Sequence, residues 1–310
     1  MRSVIVREFG GPEVLELIEH EADLPGPGQL SIRVAASSVN PIDLSTRAGR
    51  LTDAGLMAPA AEVGLGWDVA GTVAAVGLGA TRFAVGDQVV GLRDLLFAGG
   101  AHADEVLLHE SAVAPAPASV SLTEAATLPL NTLTADRALT LAGLRAGETL
   151  LVTGAAGGVG GFALELAVMR GLRTIAVAGP EDEALVRGLG ATEFVARTDE
   201  VGAAVRRVVP GGVDAVIDAA VLGIRAHDAL RGGGTFVALV APFAPPPIRG
   251  TRVVVQEVFA DGARLTELSA LVDAGRLTLR VARTFPLEQA AAAHTLLESG
   301  GVRGRVVLKP

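Results

Sequence analysis

The sequence predicts an α/β protein with two domains, one built on a doubly wound parallel sheet and the other rich in short strands. Two observations lead to this fold class. A glycine-rich turn separates an apolar strand from an apolar helix within residues 149–168, and strands alternate with helices from there to about residue 259. Such alternation is typical of a parallel sheet covered by helices on both faces.

Short strands joined by tight turns are predicted for the N-terminal third. Proline and glycine break regular structure at residues 9–12 and 25–28, and residues 30–35 alternate apolar with polar side chains. This pattern predicts a barrel or a sandwich. The expected strands are residues 1–6, 14–18 and 30–35, and residues 111–121, with two prolines, are predicted to form a linker.

The region after this linker is predicted to contain the parallel sheet. Its expected strands are residues 149–153, 174–178, 193–196, 214–218, 235–240 and 253–259. Its expected helices are residues 123–128, 129–144, 162–168, 181–189, 200–209 and 224–230. The tail is predicted as helix 263–274, strand 280–285, helix 287–298 and strand 305–308, and we expect it to return to the N-terminal domain. The predicted domains are therefore residues 1–120 with 261–310, and residues 121–260.

The glycine-rich turn carries the strongest functional signal. Gly154, Gly157 and Gly160 form the spacing G-x-x-G-x-x-G, a relative of the dinucleotide-binding fingerprint. The first glycine allows a sharp bend, the second a close approach of backbone to a pyrophosphate, and the third tight packing of helix on strand. The amides of Gly158 and Val159 would then face the phosphates at a helix N-terminus. A strand-to-helix turn without ligand is the alternative, but the alternation that follows favours a dinucleotide.

Composition excludes several classes of function. The 310 residues carry a net charge of −8, which disfavours nucleic acid as a partner. No apolar run approaches the roughly 18 residues that span a membrane, and no basic, apolar leader precedes Val4, so we expect a cytoplasmic protein. Cysteine and tyrosine are both absent, which removes disulfides, thiolate chemistry and a phenolic acid. The five histidines show no short ligand spacing, and we expect no metal.

Several motifs in this order resemble those of one family. They occupy residues 7–15, 39–43, 66–73, 85–89, 127–135 and the glycine-rich turn. Over essentially its full length the chain resembles the zinc-independent quinone oxidoreductases of the medium-chain dehydrogenase/reductase superfamily. The resemblance implies a GroES-like catalytic domain, split in sequence, a Rossmann domain, and NADPH in the cleft between them. It also implies a homodimer that pairs its Rossmann sheets through residues 253–259. Zinc-dependent relatives have a ligand cysteine and a ligand histidine where this chain has Asn40 and Trp67.

The end of the second parallel strand bears on the choice of cofactor. NAD-specific folds place a carboxylate there, whereas this strand ends in Ala178 and Gly179, which favours NADPH. By resemblance, NADPH-dependent relatives have a lysine near Glu183 and a tyrosine near Arg197. Arg197 can replace both because a guanidinium suits phosphate geometry. The alternative is that Arg197 is a solvated loop residue.

The predicted site residues divide into two sets. The catalytic candidates, by resemblance, are Asn40, Asp43 and Thr132. The candidates for cofactor binding are Asn131, Thr134, Gly154, Ala155, Ala156, Gly157, Gly158, Val159, Gly179, Arg197, Ala219 and Val240. Asn40 with Pro41 can instead form a turn, and Asp43 can instead cap a helix. Trp67 is expected either to line the substrate pocket or to lie in the core.

Without a metal, a hydride acceptor must stabilise its own developing charge. Quinones and α,β-unsaturated carbonyl compounds do so by delocalisation, and the protein then mainly orients two molecules and excludes water. We therefore predict an NADPH-dependent reductase of such compounds. Two alternatives remain open: a tailoring reductase with one natural-product substrate, and a nucleotide-binding protein with little turnover that senses redox state or serves as a structural partner.

Overall fold

The computed structural model describes residues 1–94 and 99–310. The strands are β1 (Arg2–Val6), β2 (Glu16–Glu19), β3 (Gln29–Val39), β4 (Val63–Gly64), β5 (Asp68–Val76), β6 (Gln88–Leu92), β7 (Glu105–His109), β8 (Val113–Pro115), β9 (Thr149–Thr153), β10 (Arg173–Ala178), β11 (Glu193–Ala196), β12 (Val213–Asp218), β13 (Leu230–Ala238), β14 (Arg252–Val255), β15 (Val281–Pro286) and β16 (Arg305–Lys309).

The helices are α1 (Pro41–Arg47), α2 (Arg50–Asp53), α3 (Leu122–Ala125), α4 (Pro129–Ala142), α5 (Gly158–Met169), α6 (Glu183–Gly188), α7 (Val201–Val208), α8 (Ile224–His227), α9 (Gly262–Asp273) and α10 (Ala290–Glu298). Short 3-10 turns precede α6 and α10.

The chain divides into two compact units. The first contains residues 1–130, 259–275 and 279–310, and the second contains residues 131–258 and 276–278. The first division therefore falls ten residues later than position 120. The reason is that α3 packs against β3 and β5 of the first unit, where Ser38 Oγ lies 2.9 Å from the Ala126 carbonyl oxygen.

The first unit is built on antiparallel strands. A seven-stranded sheet has the order β15-β16-β3-β5-β6-β8, with β7 also paired to β3, and a three-stranded sheet has the order β2-β1-β4. One apolar core, which includes Leu30, Ile32 and Val69, lies within the seven-stranded sheet. A second, which includes Val4, Leu287 and Leu308, joins the tail to the N-terminal strands.

Two predictions about the ends of this unit have different outcomes. The return of the tail is confirmed, because β16 pairs antiparallel with β3 and places Val306 opposite Val39. The linker at residues 111–121 is wrong, since this segment contains β8, which pairs with β6. Its two prolines misled the prediction: Pro115 ends the strand, a position that proline tolerates at a sheet edge.

The second unit is a parallel sheet of the doubly wound type. Its six strands have the order β11-β10-β9-β12-β13-β14, and every neighbouring pair is parallel. This order is that of two βαβαβ halves meeting at β9 and β12. The fold class predicted from the sequence is confirmed. The predicted last strand at residues 253–259 is wrong at its end, because pairing with β13 stops at Val255.

Candidate dinucleotide site and buried polar cluster

The glycine-rich turn follows β9 and has the geometry that its spacing predicts. Gly154 has a φ of +62°, a left-handed conformation that glycine adopts without cost. A Cβ on Gly160 would lie 2.3 Å from the Gly154 carbonyl oxygen, so only glycine lets α5 approach the turn this closely. The first and third glycines therefore bend the chain and seat the helix.

The N-terminus of α5 offers a cradle for an anion. Its first helical hydrogen bond runs from Gly161 N to the Gly157 carbonyl oxygen, so the amides of Gly158, Val159 and Gly160 have no partner within the helix. Gly157 is exposed, and a Cβ there would have only the Gly154 carbonyl oxygen within 4 Å. These residues, with Ala155 and Ala156 in the turn, fit the diphosphate of a dinucleotide.

The ends of β10 and β11 bring a basic and an acidic side chain together. Arg197 N donates to the Ala178 carbonyl oxygen, which places Arg197 beside Gly179. The Arg197 guanidinium lies 3.6 Å from Glu181, and both side chains are more than half exposed. A Cβ on Gly179 would lie 2.4 Å from Glu181 Oε1, so the carboxylate folds back over this glycine. The sequence predicted a helix from residue 181, and Glu181 does lie in the 3-10 turn that precedes α6, but the approach of its side chain to Gly179 and Arg197 was not predicted.

The loops that follow β12 and β13 lie at the same edge of the parallel sheet as the glycine-rich turn. Asp218, the last residue of β12, is paired in register with Thr153, the last residue of β9. A Cβ on Gly154 would lie 3.2 Å from the carbonyl carbon of Ala219, so this predicted residue does adjoin the glycine-rich turn. Val240 follows β13 and is 41% exposed.

The remaining predicted residues of the second unit lie on α4. Asn131, Thr132 and Thr134 occupy its first two turns, and all three are buried. Their side chains are therefore held within the protein.

In the first unit, the structure brings Asn40 and Asp43 together at the start of α1. The Asp43 carboxylate accepts hydrogen bonds from Asn40 N at 2.8 Å and from Gly66 N at 2.9 Å. Asn40 is the N-cap residue of α1 and, like Asp43, is fully buried. The cap alternative is therefore wrong in its residue: Asn40 is the N-cap, and Asp43, the third residue of α1, completes a capping box by accepting from Asn40 N. The pair connects α1 to the segment that contains Trp67.

Asp68 is the residue of this cluster that sequence reasoning missed. Its carboxylate accepts hydrogen bonds from Ser38 Oγ at 2.5 Å, Asn40 Nδ2 at 2.8 Å and Leu130 N at 2.6 Å. One fully buried carboxylate thus holds the orientation of the Asn40 amide and caps the first turn of α4. The available signal was its place in the motif at residues 66–73, next to Trp67.

Burial sets the pKa values of this cluster. It raises the pKa of Asp43 to about 7 and that of Asp68 to about 6, because desolvation disfavours the charged form. It also lowers the pKa values of Arg93 and Arg305 to about 10. Arg93 is attracted to Asp43, and Arg305 to Asp68. The cluster therefore holds carboxyl groups that titrate near neutral pH.

Two buried histidines extend the cluster toward the tail. His102 Nε2 lies 3.3 Å from the Ser38 carbonyl oxygen, and His294 Nδ1 accepts from the Arg47 guanidinium at 3.3 Å. The two rings stand edge to face with centroids 5.9 Å apart. Burial lowers the pKa of His102 to about 4 and that of His294 to about 2, so both rings are neutral.

Trp67 lies in the core of the first unit. It is 7% exposed, and among the described residues no acceptor lies within hydrogen-bonding range of its indole nitrogen.

Within residues 1–94 and 99–310, no group of three or more His, Cys, Asp or Glu side chains is arranged to hold a metal ion. In the described part of the chain, no helix is long and apolar enough to span a membrane.

Two profiles of known protein families match this chain. The profile of the alcohol dehydrogenase GroES-like domain matches residues 26–118, and that of the zinc-binding dehydrogenases matches residues 189–308. A quinone oxidoreductase of Pseudomonas aeruginosa is 32% identical over 97% of this chain and 97% of its own length. This chain belongs to the quinone oxidoreductase family of the medium-chain dehydrogenase/reductase superfamily. It is thus an oxidoreductase with a nucleotide-binding domain, and the resemblance inferred from its motifs is confirmed.

Other proteins that are similar to this chain are named for related activities or cofactors. The chloroplastic NADPH-dependent alkenal/one oxidoreductase of Arabidopsis thaliana is 31% identical, covering 100% of this chain and 80% of that protein. A mycobacterial protein solved in complex with NADPH has a TM-score of 0.85 at 30% identity, with full coverage of both chains. The crystal structure of an NAD-dependent alcohol dehydrogenase has a TM-score of 0.87 at 33% identity, also with full coverage of both chains.

Proposed function

We propose that this oxidoreductase transfers a hydride from NADPH to a quinone or an α,β-unsaturated carbonyl compound without a metal ion. The observation that carries the proposal is the cradle at the start of α5, where three helix amides and an exposed Gly157 meet. When bound there, NADPH supplies the hydride. The relatives named for quinone and alkenal/one reduction support this class of acceptor.

The choice of NADPH rests on Arg197. Its exposed guanidinium beside Gly179 can bind the 2′-phosphate through charge-assisted hydrogen bonds. Glu181 competes for the same guanidinium and can accept hydrogen bonds from an unphosphorylated ribose. We propose that the phosphate displaces Glu181 from Arg197, so that the protein prefers NADPH but retains measurable affinity for NADH.

Metal independence rests on the donor set. The chain has no cysteine. The Asn40 amide nitrogen already donates to Asp68, and the neighbouring motif offers the indole of Trp67, which is not a metal ligand. Elemental analysis of purified enzyme is expected to find no stoichiometric zinc, and chelators are expected to leave activity unchanged. Stoichiometric zinc whose removal abolishes turnover would contradict this part of the proposal.

The catalytic assignment of Asn40, Asp43 and Thr132 stays a prediction. The hydrogen bonds of Asn40 and Asp43 favour a positioning task, in which they hold α1 and the Gly66 segment in place. No tyrosine is available as a proton donor. We propose that solvent supplies the proton once the hydride has been transferred, which suits acceptors that delocalise their charge.

The deciding experiment is an acceptor screen. Purified protein, NADPH and a panel of quinones, enones and enals are mixed, and the oxidation of the cofactor is followed by its absorbance. Turnover with several simple quinones or enones supports the proposal. Tight binding of NADPH without oxidation by any acceptor favours a low-turnover binding protein. Turnover confined to one elaborate enone favours a tailoring reductase.

We also propose a homodimer that pairs the two β14 strands. β14 is the edge strand of the parallel sheet, and Val255 at its end is 40% exposed. An edge strand leaves a row of backbone donors and acceptors that a second copy can satisfy. The resulting interface is isologous, as in most soluble homodimers.

A further inference from the structure

The loop between β12 and α8 holds an unusual backbone conformation. Val221 has a φ of +59°, and Gly223 two residues later has a φ of +56°. A left-handed conformation is expected of glycine but is an outlier for a β-branched residue. Such conformations persist only where the surrounding structure imposes them, and they concentrate at ligand sites.

Asp218 imposes this conformation on the loop. One carboxylate oxygen accepts a hydrogen bond from Leu222 N at 3.0 Å, and the other accepts from Gly223 N at 2.8 Å. These two bonds bring the chain back onto the end of β12 immediately after Val221. Asp218 is only 2% exposed, so its carboxylate has little water to replace these donors.

Thr153 connects the same carboxylate to β9. Its hydroxyl donates to Asp218 Oδ1 at 2.5 Å and accepts from Ala220 N at 2.9 Å. Thr153 is fully buried and directly precedes Gly154 of the glycine-rich turn. We call Thr153 and Asp218 the clamp, because together they bind both ends of the strained loop.

The clamp also sets the distance between this loop and the glycine-rich turn. A Cβ on Gly154 would lie 3.2 Å from both the Ala219 carbonyl carbon and Ala220 N. The gap between the two segments is therefore too narrow to accept even one additional side-chain carbon without a shift of backbone atoms. Movement of the loop would displace the wall of the cradle on the β12 side.

We infer that the clamp positions the nicotinamide half of the bound dinucleotide. This inference rests on the proposed function. In a doubly wound sheet each βαβαβ half binds one mononucleotide. The half that contains β10 and β11 faces the adenosine, and the half that begins at β12 faces the other nucleotide. Thr153 and Asp218 join the two halves, and the strained loop at Val221 belongs to the second.

Calorimetric titration of wild-type protein and Thr153→Val tests the inference. The ligands are NADPH, NADH and the adenine-half fragments 2′,5′-ADP and 5′-AMP. Thr153→Val removes two hydrogen bonds, the one that Thr153 donates to Asp218 and the one that it accepts from Ala220 N. This loss is expected to weaken the binding of the complete dinucleotide by about tenfold or more. The affinity for the adenine-half fragment is expected to change by less than about twofold, because that fragment does not reach the loop.

Three further variants separate positioning from folding. Thr153→Ser keeps the hydroxyl and is expected to restore dinucleotide binding. Thr149→Val, at the opposite end of β9, controls for the loss of a threonine hydroxyl from this strand. Val221→Gly, introduced into Thr153→Val, is expected to recover most of the lost affinity, since glycine adopts a positive φ without a clamp.

The outcomes distinguish the inference from the proposed function. If wild-type protein binds neither dinucleotide, the proposed function fails and the inference falls with it. If wild-type protein binds a dinucleotide and Thr153→Val binds it equally well, only the inference is overturned. Equal weakening of the complete dinucleotide and of the fragment in Thr153→Val also overturns it, because the clamp would then only support the fold.

Discussion

Replacing Asp68 with asparagine is expected to change how the stability of the protein depends on pH. The pKa of Asp68 is raised from 3.8 to about 6, with burial as the largest cause and the neighbouring Asp43 carboxyl acting in the same direction. Hydrogen bonds from Ser38, Leu130 and Asn40 oppose this rise. The folded protein therefore holds a proton on Asp68 over a pH range in which the unfolded chain has released it.

The sign of the effect follows from linkage. The stability that Asp68 contributes through its raised pKa is fully present below about pH 4 and is lost as the pH rises through about 6. The difference between 3.8 and about 6 corresponds to roughly 3 kcal/mol in the free energy of unfolding. Asparagine cannot titrate, so the Asp68→Asn variant lacks this pH-dependent contribution to the free energy of unfolding.

Chemical denaturation at a series of pH values measures the effect. The free energy of unfolding of wild type minus that of Asp68→Asn is expected to fall by roughly 1.4 kcal/mol per pH unit between about pH 4 and 6. His102 and His294, with lowered pKa values, contribute the opposite slope below pH 6.5. They are present in both proteins and cancel in the difference. A difference that stays constant across this range would refute the reasoning.

Asp104→Asn serves as a control of opposite sign. In the wild-type protein the pKa of Asp104 is lowered, chiefly by a side-chain hydrogen bond from Arg2, and its carboxyl group is partly exposed. The stability that it contributes is present above the unfolded pKa and is lost as the pH falls through the lower folded value. Its difference curve is therefore expected to be flat above about pH 5, where Asp68→Asn still shows a slope.

Three further predictions concern the cofactor and the oligomer. Gly160→Ala is expected to abolish dinucleotide binding measured by calorimetry, because its Cβ would lie 2.3 Å from the Gly154 carbonyl oxygen, whereas Gly188→Ala, with nothing within 4 Å, should retain it. Arg197→Glu is expected to raise KM for NADPH by about tenfold or more while sparing NADH, since a charge-assisted contact is lost; steady-state kinetics with both cofactors check this, and an equal response of both would contradict the assignment. If the protein forms the proposed dimer, Val255→Arg is expected to convert it to monomer in sedimentation velocity, whereas Leu24→Arg, at another exposed residue, should not. Dissociation by both variants, or by neither, would argue against pairing through β14.

Prediction from sequence succeeded where the structural requirement is local. The strand, turn and helix around Gly154 follow from apolar periodicity and from the spacing of three glycines, and β9 and α5 lie where this pattern places them. The alternation after the turn also sufficed to predict a parallel sheet. The six-strand order itself is known only from the structure.

Prediction failed where a residue has two uses that sequence cannot separate. Prolines at the end of the N-terminal domain indicated a linker, but Pro115 ends an edge strand. The length of β14 was overestimated because the predicted strand was carried past Gln256 and Glu257 to the apolar Val258 and Phe259, whereas pairing with β13 ends at Val255. Glu181 does begin a helical turn, as predicted, but nothing in the sequence indicated that its side chain folds back toward Gly179 and Arg197.

The sequence by itself determined the fold class, the family and the place of the glycine-rich turn, because a missing Cβ and a period of apolar residues act on the chain within a few positions. Only the tertiary structure decided which polar groups meet. Asp68 reaches Asn40 and Leu130 across 28 and 62 positions, and Thr153 reaches Asp218 across 65. Such contacts depend on which strands become neighbours, and burial then sets their pKa values.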